Sequence, residues 1–164
     1  MRRLFIAVSL AVFLAVAAVP SAFAAEWRVP GDFATIQAAV NSPDVAAGDV
    51  ILVGPGSHAG ASLTKSLDIR GEDGAVIDDG PLHPSGMTQG FRLFTGSQGT
   101  SISHLTFQVD LAIINGEAAN NVTVSHNRFL NANQAVTNWR GSGWGISRNF
   151  GNNRGHGLHP SVFR

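Results

Sequence analysis

The chain has no cysteine among its 164 residues. This excludes disulfides, thiolate metal centres and a cysteine nucleophile, so the fold must hold by packing alone. With only 2 methionines besides, little is left to bind copper. Neither charge dominates: 11 Lys+Arg stand against 11 Asp+Glu, and no basic patch suits nucleic acid. Beyond Ala24 there is neither a long apolar run nor a basic amphipathic helix to engage a membrane.

The one long apolar run, Leu4 to Val19, is interrupted only by Ser9. Arg2 and Arg3 precede it, Pro20 and Ser21 break it, and Ala22-Phe23-Ala24 has the small-x-small form of a cleavage site. The run is shorter than the ~20 residues that cross a bilayer. It reads as a secretory signal peptide cleaved after Ala24. The expected organisation is a signal peptide at 1–24 and one exported domain at 25–164, periplasmic or extracellular, with no membrane partner after cleavage.

What is present is repetition. "SISHLTF" at Ser101, "VTVSHNRF" at Val122 and "GISRNF" at Gly145 share a step of 22. That step aligns Ile102 with Val124 and Ile146, His104 with His126 and Arg148, and Asn127 with Asn149. Phe107 meets Phe129, while Phe150 falls one place short, which suggests a small deletion. A second ladder, Ile114, Val136 and Leu158, has the same step, as do Ile113, Ala135 and Gly157. The apolar runs are short and alternating, the turns are rich in Asn and Gly, and the L-x-x-L-x-L frame of leucine-rich repeats is missing. This predicts an all-β solenoid of parallel coils, with Ile102, Val124 and Ile146 in one inward column and Asn127 on Asn149 in a hydrogen-bonded ladder.

Residues 25–49 are expected to form an N-terminal cap: Asp32 can N-cap a short helix, Phe33 to Val40, with Phe33, Ile36 and Val40 on one face. Coils then fill 50–164, with a strand at Val50 to Val53, a turn in "GPGSHAG", and strands in "SLDIRG" and "AVIDDG". The last coil ends with no capping element, so either self-association through that open edge or disorder beyond about Gly151 is expected.

"DFATIQAAV", "GDVILVGPGSHAG" and "SLDIRGEDGAVID", followed by "NNVTVSHNRFLNANQAV", resemble the cap and coils of right-handed parallel β-helix proteins of the pectate-lyase-like superfamily. The resemblance implies a right-handed solenoid and a carbohydrate setting, but one such fold serves many tasks. The "QDT" and "DFIFG" patterns of its pectinesterases are missing, and the acids stand singly apart from Asp78-Asp79. The leading expectation is therefore a non-catalytic polysaccharide-binding or envelope-scaffold protein without a cofactor. The alternative is a carbohydrate-active enzyme, a lyase, hydrolase or esterase, or a fragment of one. A lyase-like member would hold calcium.

Catalytic candidates are few. His104 and His126 sit on adjacent coils and form either an acid–base or metal pair, or a solvated turn ladder continued by Arg148. Asp78 and Asp79, near Asp68, Arg70 and His83, are either paired carboxylates or an ordinary turn. Asp110, with His104 and Arg92, is either a sugar-facing acid or a strand-end charge. For ligand binding, "NWRGSGW" presents Trp139, Arg140 and Trp144 in a glycine-rich loop where indoles can stack on sugar faces. The alternative is that one or both indoles are buried in the last coil.

Overall fold

The computed structural model describes residues 24–152. The signal peptide expected at 1–24 lies outside them except for Ala24, and so do 153–164, with Leu158 and the expected open edge.

The described residues form a parallel solenoid of stacked coils. The first coil contributes β1 (Glu26–Val29) and α1 (Ile36–Asn41). The second holds β2 (Val50–Val53), β3 (Gly56–Ala59) and β4 (Ala61–Leu63), and the third β5 (Asp68–Gly71), β6 (Ala75–Asp79) and β7 (Gln89–Leu93). The fourth holds β8 (Ser101–Ser103), β9 (Thr106–Phe107) and β10 (Leu111–Asn115), and the fifth β11 (Thr123–Ser125), β12 (Arg128–Leu130) and β13 (Gln134–Asn138). β14 (Gly145–Ser147) and β15 (Phe150–Asn152) open the sixth. Equivalent strands pair into three sheets, ordered β1-β2-β5-β8-β11-β14, β13-β10-β7-β4 and β15-β12-β9-β6-β3.

Each sheet turns apolar side chains inward in columns, because alternate residues of a strand face opposite sides. On the first sheet Ile51, Ile69, Ile102 and Val124 are fully buried in register. Ile146 continues the column, half-buried. On the second, Phe91, Ile113 and Val136 align, and on the third, Ile77, Phe107 and Phe129. Phe107 stacks on Phe129 at 5.2 Å and meets Phe91 edge-on at 5.7 Å, tying two columns together. Each buried side chain of this size contributes about 1.5–3 kcal/mol.

In the fourth, fifth and sixth coils the corner between the first and third sheets is made by two residues. His104, His126 and Arg148 all take left-handed backbone angles, φ 58°, 58° and 53°. Leu105, Asn127 and Asn149 follow them. Asn127 Oδ1 accepts the Leu105 N–H at 3.0 Å, and Asn149 Oδ1 accepts the Asn127 N–H at 2.9 Å. These side chains satisfy corner amides that would otherwise be left without partners, so the expected asparagine ladder is present.

Several expectations are corrected. The segment expected only to cap contains β1, which pairs with β2 from Glu26↔Val50 to Val29↔Val53. "GPGSHAG" is not simply a turn, since Gly56–Ala59 is β3. The helix is shorter than Phe33 to Val40 and starts later. Thr35 is its N-cap and accepts the Ala38 N–H at 3.1 Å, whereas Asp32 accepts the Arg28 N–H at 2.8 Å in the preceding turn. Phe33 lies outside the helix and packs on Trp27 at 5.5 Å.

Two registers also differ from the sequence reading. β10 and β13 are offset by 23 residues, with Ile113 opposite Val136 and Asn115 opposite Asn138, so the second ladder is not in step with the first. The extra residue falls in the turn containing Asn131, whose φ is 60°. There is no deletion at Phe150: it pairs with Arg128, and Gly151 takes the place opposite Phe129. Phe150 therefore faces outward, 57% exposed.

Candidate functional site

The corner ladder becomes a groove because successive coils turn with different numbers of residues. Arg70 is in register with Ser103 on one side of the corner, and Val76 with Thr106 on the other. Only His104 and Leu105 lie between Ser103 and Thr106, while Gly71 to Ala75 span the same corner between Arg70 and Val76 one coil earlier. The longer turn, carrying Glu72 and Asp73, overhangs the shorter ones. Beneath it lies an open groove of about 380 Å³, lined by Glu72, Asp73, His104, Thr106, His126 and Arg128 among others. Gly71 makes the overhang fit, since a Cβ there would fall against the His104 carbonyl oxygen.

On the groove floor the His104 and His126 rings stack in parallel, 4.9 Å between centroids and 3° between planes. Their in-plane lone pairs thus run side by side, and one ion cannot meet both at the ~2.0–2.1 Å of a zinc–imidazole bond. The arrangement suits stacking better than chelation. Glu72 Oε1 accepts Arg28 Nη1 at 3.2 Å, which anchors one wall of the groove. The Arg128 guanidinium lies 6.0 Å over the Phe150 ring.

The other candidates stay apart. Asp110 lies in the turn between β9 and β10, whereas His104 stands between β8 and β9. Asp110 accepts Thr88 N–H at 3.0 Å and Asn133 Nδ2 at 3.4 Å, so it joins three coils at its own corner. Arg92 sits over Phe94 at 4.8 Å. Asp68 pairs with Arg70, and His83 bonds to Ser85 in its own loop. Asp78 and Asp79 are both exposed, because the register slips between His58 and Ala59 and leaves Asp78 as the extra residue of a bulge. Asp78 accepts the Ser57 hydroxyl and Asp79 the Gly80 N–H. Among the described residues no three His, Asp or Glu side chains converge as metal ligands.

The two indoles of "NWRGSGW" part company. Trp144 packs against the core and donates Nε1–H to the Ala119 carbonyl at 2.7 Å. Trp139 is 76% exposed, with Arg140 exposed beside it. The loop between them is pinned by Asn138, whose Oδ1 accepts the Gly141 N–H at 2.8 Å and whose Nδ2 donates to the Gly141 carbonyl at 3.0 Å. Sequence reasoning missed Glu72, Asp73 and Arg128. The signal for Glu72 and Asp73 was "GEDG" standing where the later coils have only "HL", "HN" and "RN".

No family model, curated protein or solved structure matches the chain. Among the described residues, no helix is long and apolar enough to cross a membrane.

Proposed function

We propose that this is an exported right-handed β-helix protein of the pectate-lyase-like kind that binds polysaccharide. In this reading the signal peptide is removed after Ala24, and α1 acts as a lid. Ile36, Ala39 and Val40 are buried on the core at the first coils, covering apolar surface that a stack would otherwise expose. The observation that carries binding is Trp139, a large apolar ring kept in water on a pinned loop beside a cation. Such rings stack on the apolar faces of sugars, and holding the loop in place beforehand lowers the ordering cost of binding. Retention of the mature protein on immobilised glycans is the test. Trp139→Ala should weaken retention roughly five-fold, equivalent to about 1 kcal/mol, with the fold unchanged. No retention on any polysaccharide, or retention indifferent to Trp139, would refute the reading.

The groove favours a second reading, a carbohydrate-active enzyme. It sets carboxylates, Glu72 and Asp73, near two imidazoles and a guanidinium, a set able to move protons and steady an anionic sugar. Release of reducing ends or unsaturated uronides, abolished by His104→Ala with His126→Ala, would establish it.

A further inference from the structure

We infer that export processing builds an ion pair into the fold: cleavage after Ala24 turns the Ala25 nitrogen into an ammonium that pairs with the buried Asp49 carboxylate. This rests on the proposed export and cleavage, but its geometry is independent of the groove and of Trp139. The Ala25 nitrogen lies 2.9 Å from Asp49 Oδ1. Asp49 is only 5% exposed. Its Oδ2 accepts both Trp27 Nε1 and the Ala46 N–H at 2.9 Å.

This carboxylate is a hub. Its own backbone carbonyl takes the Asp68 N–H at 2.9 Å, and Val50 N–H bonds to the Ala25 carbonyl at 2.8 Å. It therefore links β1, the loop before β2, and β5. Yet among the described residues no Lys or Arg forms an ion pair with it. The charge of Lys65 acts on it, but its Nζ is engaged by the Ser42 and Val45 carbonyls at 2.9 and 2.8 Å. Of the other charged groups nearby, Glu26 pairs with Arg28 and Asp68 with Arg70. A buried carboxylate without a cationic partner is costly, whereas a charge-assisted N–H bond is short and strong.

Processing supplies the missing charge at a nitrogen already in place. Hydrolysis of the Ala24–Ala25 peptide bond adds the hydroxyl of water to the Ala24 carbonyl carbon. The Ala25 nitrogen keeps its hydrogen, takes one from water and binds a further proton from solvent. Chain termini fray unless tied down. Here the tie would fasten the strand that begins the stack, and it would exist only in the processed protein.

Three measurements test this. The intact mass of the protein exported from the full chain locates its terminus. Thermal unfolding is then followed from pH 5 to 10 for the protein beginning at Ala25, with its amine free or N-acetylated. An unperturbed α-amino group titrates near ~7.7–8.0, and pairing with a carboxylate raises that value. The free-amine form should melt several degrees above the acetylated form at pH 6, and the gap should close as pH rises past the raised amine value. In the Asp49→Asn background acetylation should make no difference. A terminus elsewhere overturns the cleavage reading and the pair together. A terminus at Ala25 with acetylation indifferent at pH 6 overturns the pair alone.

Discussion

Asn127 Oδ1 accepts the Leu105 N–H on the coil before, while Asn127 Nδ2 donates to the Ile102 carbonyl at 2.9 Å. The same two bonds recur one coil later, where Asn149 takes the Asn127 N–H and donates to the Val124 carbonyl at 2.8 Å. One buried side chain thus closes the corner of its neighbour, and the ladder sets the coil register.

Asn127→Leu should remove both bonds and leave the Leu105 N–H and Ile102 carbonyl buried without them. That costs about 1–3 kcal/mol for each group left unsatisfied. Urea unfolding should show a lower midpoint with an unchanged slope. A midpoint equal to the parent's would mean the ladder follows the fold without supporting it.

The first-sheet column predicts a graded pair. Val124 is fully buried between Ile102 and Ile146, whereas Ile146 is only half-buried. Val124→Asp should destabilise by about 3 kcal/mol or more, because it places an unpartnered charge in the core. Ile146→Asp should cost clearly less. Soluble yield and thermal melting would rank the two.

Asp49 predicts an acid limb in the stability profile. Burial pushes its carboxyl up, but hydrogen bonds from Trp27, Ala46 and Ala25, with the charge of Lys65, outweigh it and hold the group below its ordinary value. A carboxyl lowered in the folded state stabilises above its unfolded value, about 3.9, and that stability is lost as pH falls through the folded value. Asp49→Asn should lower stability at pH 7 and flatten the decline below about pH 4. Unfolding in urea across pH 2–7 would show it.

The sequence reveals the solenoid because stacking forces equivalent residues into register, so "SISHLTF" and "VTVSHNRF" read as one motif. It misleads where two readings look equally apolar. Ile113-Ile114 could face Ala135-Val136 or Val136-Thr137, so an offset of 22 or 23 satisfies the pattern, and only the inserted turn at Asn131 decides for 23. At Phe150 it misleads for another reason. The Asn127–Asn149 bonds hold the step, and the ring is turned outward rather than the ladder broken. The groove was hidden because it arises from unequal corners, which a search at constant step passes over. Helix α1 began later than expected because the Thr35 hydroxyl caps Ala38, while Asp32 closes a turn on Arg28.

Gly71 joins the fold to the groove and yields the last prediction. Its backbone is unremarkable in sign, so the need for glycine here is steric. A Cβ would press on the His104 carbonyl oxygen and on Leu105, and the oxygen belongs to the backbone, which cannot swing aside. Gly71→Ala should therefore force the Glu72–Asp73 turn away from the corner, at a cost of about 1–3 kcal/mol as for other overpacked sites. The groove should open while the distant Trp139 loop stays as it is. If the groove is the working surface, Gly71→Ala should abolish glycan cleavage. If Trp139 is, binding should survive at temperatures where the variant is folded. Comparing the two readouts in this one variant separates the two readings of function without touching any groove side chain.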